Sequence, residues 1–222
     1  MKKEVVVLCL ISQLLNATTF QEAKNIQKNE GTLKALPLYK KLSNEKNPKA
    51  MYELAKIYLR GDVIAKRTNK AYVLLKESSS LGFNQATYTL AKLYFSKNSP
   101  YYDKKKAYNT FLDASEQNHA KAFTMIGKHL LFGITVKKDY EKAVYYFKEA
   151  SKRKDYSANC YIAYMYASGK GVFPNFGRAN IFAKDEYNKG NKFCIKTWKK
   201  YNLGKYPIDK GWQIGDYNKP IK

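Results

Sequence analysis

The sequence is poor in the side chains that carry out chemistry. It has two histidines, His119 and His129, and three cysteines, Cys9, Cys160 and Cys194. Two histidines without a supporting cysteine or acidic cluster make a poor zinc site, and constellations of nucleophile and base are sparse, so no cofactor or metal is implied. Arginine is scarce too, standing only at 60, 67, 153 and 178. Arginine reads phosphates and base edges bidentately, so a surface whose positive charge is nearly all lysine attracts acidic partners diffusely and does not read sequence. Acidic residues are outnumbered, 18 against 41 Lys and Arg, for a formal charge of +23. The same Lys, Asn and Tyr richness also fits a compositional bias of the source genome. Long apolar runs are missing: the best, Val5 to Leu15, is broken by Ser12 and Gln13 and is too short to span a bilayer as an anchor.

That run has the form of a targeting segment. Lys2 and Lys3 precede it, and Leu15-Asn16-Ala17 offers a cleavage site before Thr18, so residues 1–17 read as a signal peptide, with a first buried helix as the alternative. Leu8 sits where a lipoprotein signal before Cys9 needs a small residue. The expected mature chain has no transmembrane segment and two cysteines, and it resides in the periplasm or outside a Gram-negative cell.

The stretch Gly169-Lys170-Gly171 invites comparison with phosphate-binding loops. Neither the Walker spacing nor the dinucleotide fingerprint is met, since Val172, Phe173 and Pro174 follow where those templates need other residues. Internal repetition explains it better. AMYELAKIYLRG at Ala50, ATYTLAKLYFSK at Ala86, AFTMIGKHLLFG at Ala122 and ANCYIAYMYASG at Ala158 recur in steps of 36 residues, and Lys70-Ala71, Lys106-Ala107, Lys142-Ala143 and Arg178-Ala179 keep the same step. Within each unit the apolar positions fall at helical spacing, as at Ala50, Leu54, Ile57 and Tyr58. Small residues at Ala55, Ala91, Gly127 and Ala163 mark a close helix–helix approach. Gly61, Gly133 and Gly169 mark left-handed helix ends. His119 falls at an inter-repeat turn and His129 in a column otherwise held by Ile57, Leu93 and Met165, so both read as structural.

The helix Ala158, Ile162, Ala163, Met165 and Tyr166, the corner Gly169 to Val172, and the second helix Lys142 to Ala150 together resemble the Sel-1-like repeat family, relatives of the tetratricopeptide repeats. The resemblance implies an all-α solenoid, a right-handed superhelix of helix-turn-helix units. Four units are expected over 50–85, 86–121, 122–157 and 158–193, with capping helices over 18–49 and a C-terminal cap and tail over 194–222. The second unit departs, having Lys97-Asn98-Ser99-Pro100 at its corner. The last residues, with Trp198, Tyr201, Tyr206, Trp212 and Tyr217, read either as cover for a terminal repeat or as a partner contact.

In such arrays the first helices line a groove. Carried over, that geometry puts Lys56, Lys92, Lys128 and Tyr164 in one inward column, Tyr52, Tyr88, Thr124 and Cys160 in a second, and Lys49, Gln85 and Lys121 in a third. Lysines in register with tyrosines suit an acidic peptide or protein segment, so the expected function is a monomeric, non-catalytic scaffold for another envelope protein. Cys160 and Cys194 lie on first helices of successive units, close enough in such a stack for a bridge; a bridge and two free thiols both remain open. The resemblance extends distantly to secreted cysteine-rich proteins of Helicobacter, described as penicillin-binding or weak β-lactamases. Ser43 to Lys46 and Ser151 to Lys154 have the Ser-x-x-Lys spacing, but Ser79, Ser115, Ser151 and Tyr187 stand where that subfamily has cysteines. A further alternative is electrostatic binding to anionic envelope components, export arguing against nucleic acid.

Overall fold

The computed structural model of the protein describes residues 19–208. The expected signal segment 1–17, Cys9, Trp212 and Tyr217 lie outside the described residues. All regular structure among the described residues is helical, and it forms two compact units, divided after Tyr102.

In the first unit, α1 (residues 19–29) and α2 (Thr32–Asn44) precede α3 (Pro48–Arg60), α4 (Thr68–Ser80) and α5 (Asn84–Phe95). The helix α3 begins two residues before the expected repeat start, because Pro48 pre-sets its first turn and the Asn47 side chain accepts from the Ala50 N–H. One core runs through the unit, with Tyr39, Leu42, Ile57 and Leu75 buried beside Ala35, Ala55, Ala71 and Ala86. The Tyr39 hydroxyl donates to Gln27 at 2.8 Å. The glycine-free corner after α5 is built from turns, Ser99 N–H to Ser96 O at 2.9 Å and Tyr102 N–H to Ser99 O at 3.1 Å. It is pinned by Tyr101, which stacks on Tyr72 at 3.9 Å.

The second unit holds α6 (Lys104–Glu116), α7 (Ala120–Phe132), α8 (Tyr140–Lys152), α9 (Asn159–Ser168), α10 (Phe176–Asn188) and α11 (Lys192–Tyr201). The helices α6, α8 and α10 are each N-capped by a side chain, from Asp103, Asp139 and Asn175, accepting from the N–H three residues on. That bond to the Lys106 and Lys142 amides is the first reason that the Asp103 and Asp139 carboxyls titrate below the usual range. Gly133 and Gly169 close α7 and α9 with φ of 66° and 68°, as Gly61 closes α3 at 71°. A Cβ on Gly171 would come within 2.6 Å of the Tyr140 carbonyl. The Gly-Lys-Gly stretch is therefore a corner seated against the start of α8.

Close approach governs the packing. Ala55, Ala91 and Ala163 are fully buried, and at Gly127 a Cβ would stand 2.7 Å from the Phe147 ring. At the end of the unit Cys160 of α9 and Cys194 of α11 form a disulfide with a Cα separation of 4.8 Å. Beyond it, Asn180 donates to the carbonyls of Leu203 and Tyr206, each at 3.0 Å, and Trp198 stacks on Tyr187 at 4.8 Å.

Two outcomes are expected. Gly127→Ala gains about 1 kcal/mol of helix propensity and loses about 1 to 3 kcal/mol to overpacking against Phe147, so urea titration is expected to show a net loss; a more stable variant would mean that Phe147 can move aside. Closing a 34-residue separation is worth about 3 to 4 kcal/mol in the chain-entropy treatment. The paired variant Cys160→Ala, Cys194→Ala is expected to lose that amount, and an unchanged denaturation midpoint would refute it.

Candidate functional site

The first helices of the two units carry the residues that the sequence singles out, and each unit arranges them differently. In the first unit Lys49 is exposed on the first turn of α3. Tyr52 packs edge-on against Phe83 at 5.3 Å, and the Lys56 ammonium stands 5.0 Å from the Tyr52 ring. Tyr88 and Lys92 repeat the pair one repeat on, within the same unit, at 5.9 Å. Lys56, however, is already answered by the chain itself. Its Nζ lies 2.9 Å from Glu53, a carboxylate only 8% exposed, which Lys24 also approaches at 3.5 Å. The sequence reading passed over Glu53, although its i, i+3 spacing to Lys56 is the signal that would have found it.

In the second unit Lys121 is exposed, and two members of the expected columns turn out to be buried. Thr124 is 6% exposed because its hydroxyl donates to the Asp155 carboxylate at 2.6 Å, and Cys160 is consumed by the disulfide. A turn of 3₁₀ helix at Tyr156–Ala158 brings Asp155 there, where Ser157 also donates to it at 2.7 Å. Lys128 is half-buried, 5.9 Å from the Tyr161 ring, and burial pulls its pKa below the usual lysine value. Tyr164 accepts a hydrogen bond from Lys170 at 2.9 Å, and that bond holds the Lys170 pKa above its ordinary value.

Between α7, α9 and α11 lies a pocket of about 170 Å³ lined by Phe132, Tyr164, Phe193, Lys196, Thr197 and Lys200. Its floor is an aromatic cluster that the sequence reading missed. Phe193 stacks on Tyr161 at 4.5 Å, Tyr161 stacks on Phe147 at 4.8 Å, and Phe132 meets Phe193 edge-on at 6.3 Å. The signal available was weak: Phe132 and Phe193 hold positions where other units have polar residues, such as Ser168 and Ser157.

The alternative nucleophiles are placed differently from a Ser-x-x-Lys helix. Ser43 and Ser151 sit in the last turns of α2 and α8. Lys46 and Lys154 lie beyond those helix ends in left-handed turns, with φ of 62° and 69°, and Lys46 pairs with Glu77. Ser43 does open onto a groove of about 610 Å³, but its lysine neighbours there are Lys40 and Lys70. No group of three or more potential metal ligands occurs among the described residues. His129 is fully buried against Tyr108 at 5.2 Å, with Nδ1 3.0 Å from the Thr135 hydroxyl. Burial lowers its pKa to about 4, with Lys128 and Lys104 adding to the effect.

Three kinds of comparison bear on this geometry. The family described as Sel1 repeat matches residues 48–83, 120–155 and 157–184. Among solved structures, a protective antigen of uropathogenic Escherichia coli displaying an SLR fold aligns at 24% identity and a TM-score of 0.75. The alignment covers 86% of this chain but 42% of the antigen, so this chain spans less than half the antigen's length. A Sel1 repeat protein from Oxalobacter formigenes aligns at 23% identity and a TM-score of 0.75, over 88% of this chain and 83% of that one. No curated protein matches the chain.

The buried histidine makes stability depend on pH. Its folded pKa lies below the ordinary 6.5, so the unfolded chain binds the extra proton; stability is complete above pH 6.5 and declines as pH falls toward 4. The loss is about 3 kcal/mol at most. His119, whose pKa burial also lowers, contributes with the same sign. Urea titrations between pH 7 and 4 are expected to show the decline and to show less of it in His129→Met; equal slopes would assign it elsewhere.

Proposed function

The chain belongs to the Sel1 repeat family, an all-α helical repeat solenoid that generally serves as a protein-interaction scaffold, and from that premise we propose that it is an exported adaptor that binds acidic segments of another envelope protein. The observation that carries this reading is the recurrence of lysine beside tyrosine on first helices, Lys92 with Tyr88 and Lys128 with Tyr161, while the like pair Lys56 and Tyr52 is answered by Glu53. A cation held over an aromatic face offers a peptide both a charge and a flat apolar surface. Lys49 and Lys121 stand exposed at the starts of α3 and α7 and widen the positive region in each unit.

Export finds support in the Cys160–Cys194 disulfide, since such bonds persist in oxidising compartments. No helix among the described residues is long and apolar enough to cross a membrane. Sel1 repeats are typically non-catalytic scaffolds, and the placement of Ser43 and Ser151 offers no activated nucleophile: each serine stands in the last turn of its helix, with the lysine three residues later beyond the helix end.

Protein immobilised as a monomer is expected to retain a discrete partner from the source organism's envelope fraction at physiological salt. The variants Lys92→Glu and Lys121→Glu, Lys128→Glu are expected to lose it. Retention that collapses between low and physiological salt without partner selectivity would favour the general attraction to anionic envelope components. Hydrolysis of a chromogenic cephalosporin, abolished by Ser43→Ala or Ser151→Ala, would overturn the non-catalytic reading.

A further inference from the structure

The two first-helix faces are not equivalent, and the difference is one of charge. In the first unit Lys56 has a built-in counter-ion in Glu53. In the second, the same column holds Met125 and Tyr161, Lys128 stands 5.9 Å from the Tyr161 ring, and Lys196 and Lys200 line a pocket with no carboxylate among its lining residues. Asp155, whose charge acts on Tyr161, is engaged by the hydroxyls of Thr124 and Ser157. The floor itself is accessible: Phe132, which ends α7, is 44% exposed.

We infer that the pocket between α7, α9 and α11 is the specificity site of the scaffold, taking one aromatic side chain of a partner peptide that carries acidic residues on either side of it. This rests on the protein-binding reading above and narrows it to one locus and one ligand class. A pocket of about 170 Å³ admits a single large side chain and not a helix or a lipid chain. The exposed edges of Phe132 and Phe193 offer it ring contacts of the stacked or edge-on kind already used within the cluster. Lys196 and Lys200, one turn apart on α11, line the pocket, and Lys128, one turn before Phe132 on α7, stands 5.9 Å from the Tyr161 ring beneath Phe193, so carboxylates flanking the aromatic residue meet a positive surround. The wall that carries most of the lining residues, α11, is fixed to α9 by the disulfide, so the site is formed before the peptide arrives. Ordering it costs the complex little.

The test uses the protein with its disulfide intact and the blocked peptide Gly-Asp-Glu-Phe-Glu-Asp-Gly, titrated by calorimetry and by backbone NMR at physiological salt. Binding is expected, with shifts confined to α7, α9 and α11. Replacing the peptide's Phe by Ser, or the protein's exposed Lys200 by Glu, is expected to weaken it about tenfold, as is Phe193→Ala. Lys76→Glu, at an exposed position of α4 in the first unit, is expected to leave it unchanged. Equal affinity for the Phe and Ser peptides, shifts centred on α3 and α5, absence of binding, or indifference to both Lys200→Glu and Phe193→Ala would each overturn the inference. Because Lys200 is exposed, its variant separates loss of the site from loss of the fold. Partner capture that survives while this peptide fails would retain the scaffold reading and reject the pocket.

Discussion

The close approach of paired helices is the constraint from which the rest of this structure follows. At Gly127 the first helix offers no side chain at all, and the Phe147 ring occupies the space that a Cβ would take. Ala55, Ala91 and Ala163 hold the same column with the smallest side chain available, all fully buried. Large side chains come from the second helices instead, Leu75, Phe111, Phe147 and Phe182, each at most 1% exposed. This division of sizes sets the distance between helices. It also spends one face of each first helix on packing and leaves the opposite face to display whatever the sequence places there.

What is displayed is governed by charge as much as by position. A chain with formal charge +23 repels itself, and each lysine must reach water, meet an acid or lie over a ring. Lys56 and Lys24 meet an acid, Glu53. Other lysines meet rings, Lys92 near Tyr88, Lys128 near Tyr161 and Lys170 near both Tyr140 and Tyr164. Those two solutions have opposite consequences for recognition. A lysine with a carboxylate partner has little attraction left for an incoming anion, while one held over a ring keeps nearly all of it.

The fold was legible because it rests on spacing, and spacing survives in a single sequence. The 36-residue step located the helix pairs, the small column and the left-handed glycines at 61, 133 and 169, and the departure at Lys97 to Pro100 falls at a corner built from turns. The binding face was less legible because exposure depends on neighbours that a column does not record. Thr124 is in register with Tyr52 and Tyr88, yet Asp155 captures it. Asp155 reaches that position through a 3₁₀ turn at Tyr156–Ala158 that breaks the pattern of the other first helices. Pro37, inside α2, likewise contradicts local propensity, and nothing in the periodicity announces it. The aromatic pocket was missed for the same reason: Phe132 and Phe193 are far apart in sequence and belong to no shared column.

A stack of paired helices is weakest where the pairing stops, since its last helix has neighbours on one side only. Among the described residues the last α-helix is α11, which packs on α9 and α10 and is followed by a single turn at Leu203–Lys205. Three devices hold α11 in place. The disulfide fixes the start of α11 to the start of α9. Asn180 clasps the carbonyls of Leu203 and Tyr206 past its end, and Tyr206 and Trp198 cover Phe176 and Tyr187 with stacked rings. None of these occupies the side of α11 that carries Phe193, Lys196 and Lys200. These contacts hold α11 fixed while its Phe193, Lys196 and Lys200 line the pocket, and a rigid wall of that kind is what a recognition surface requires.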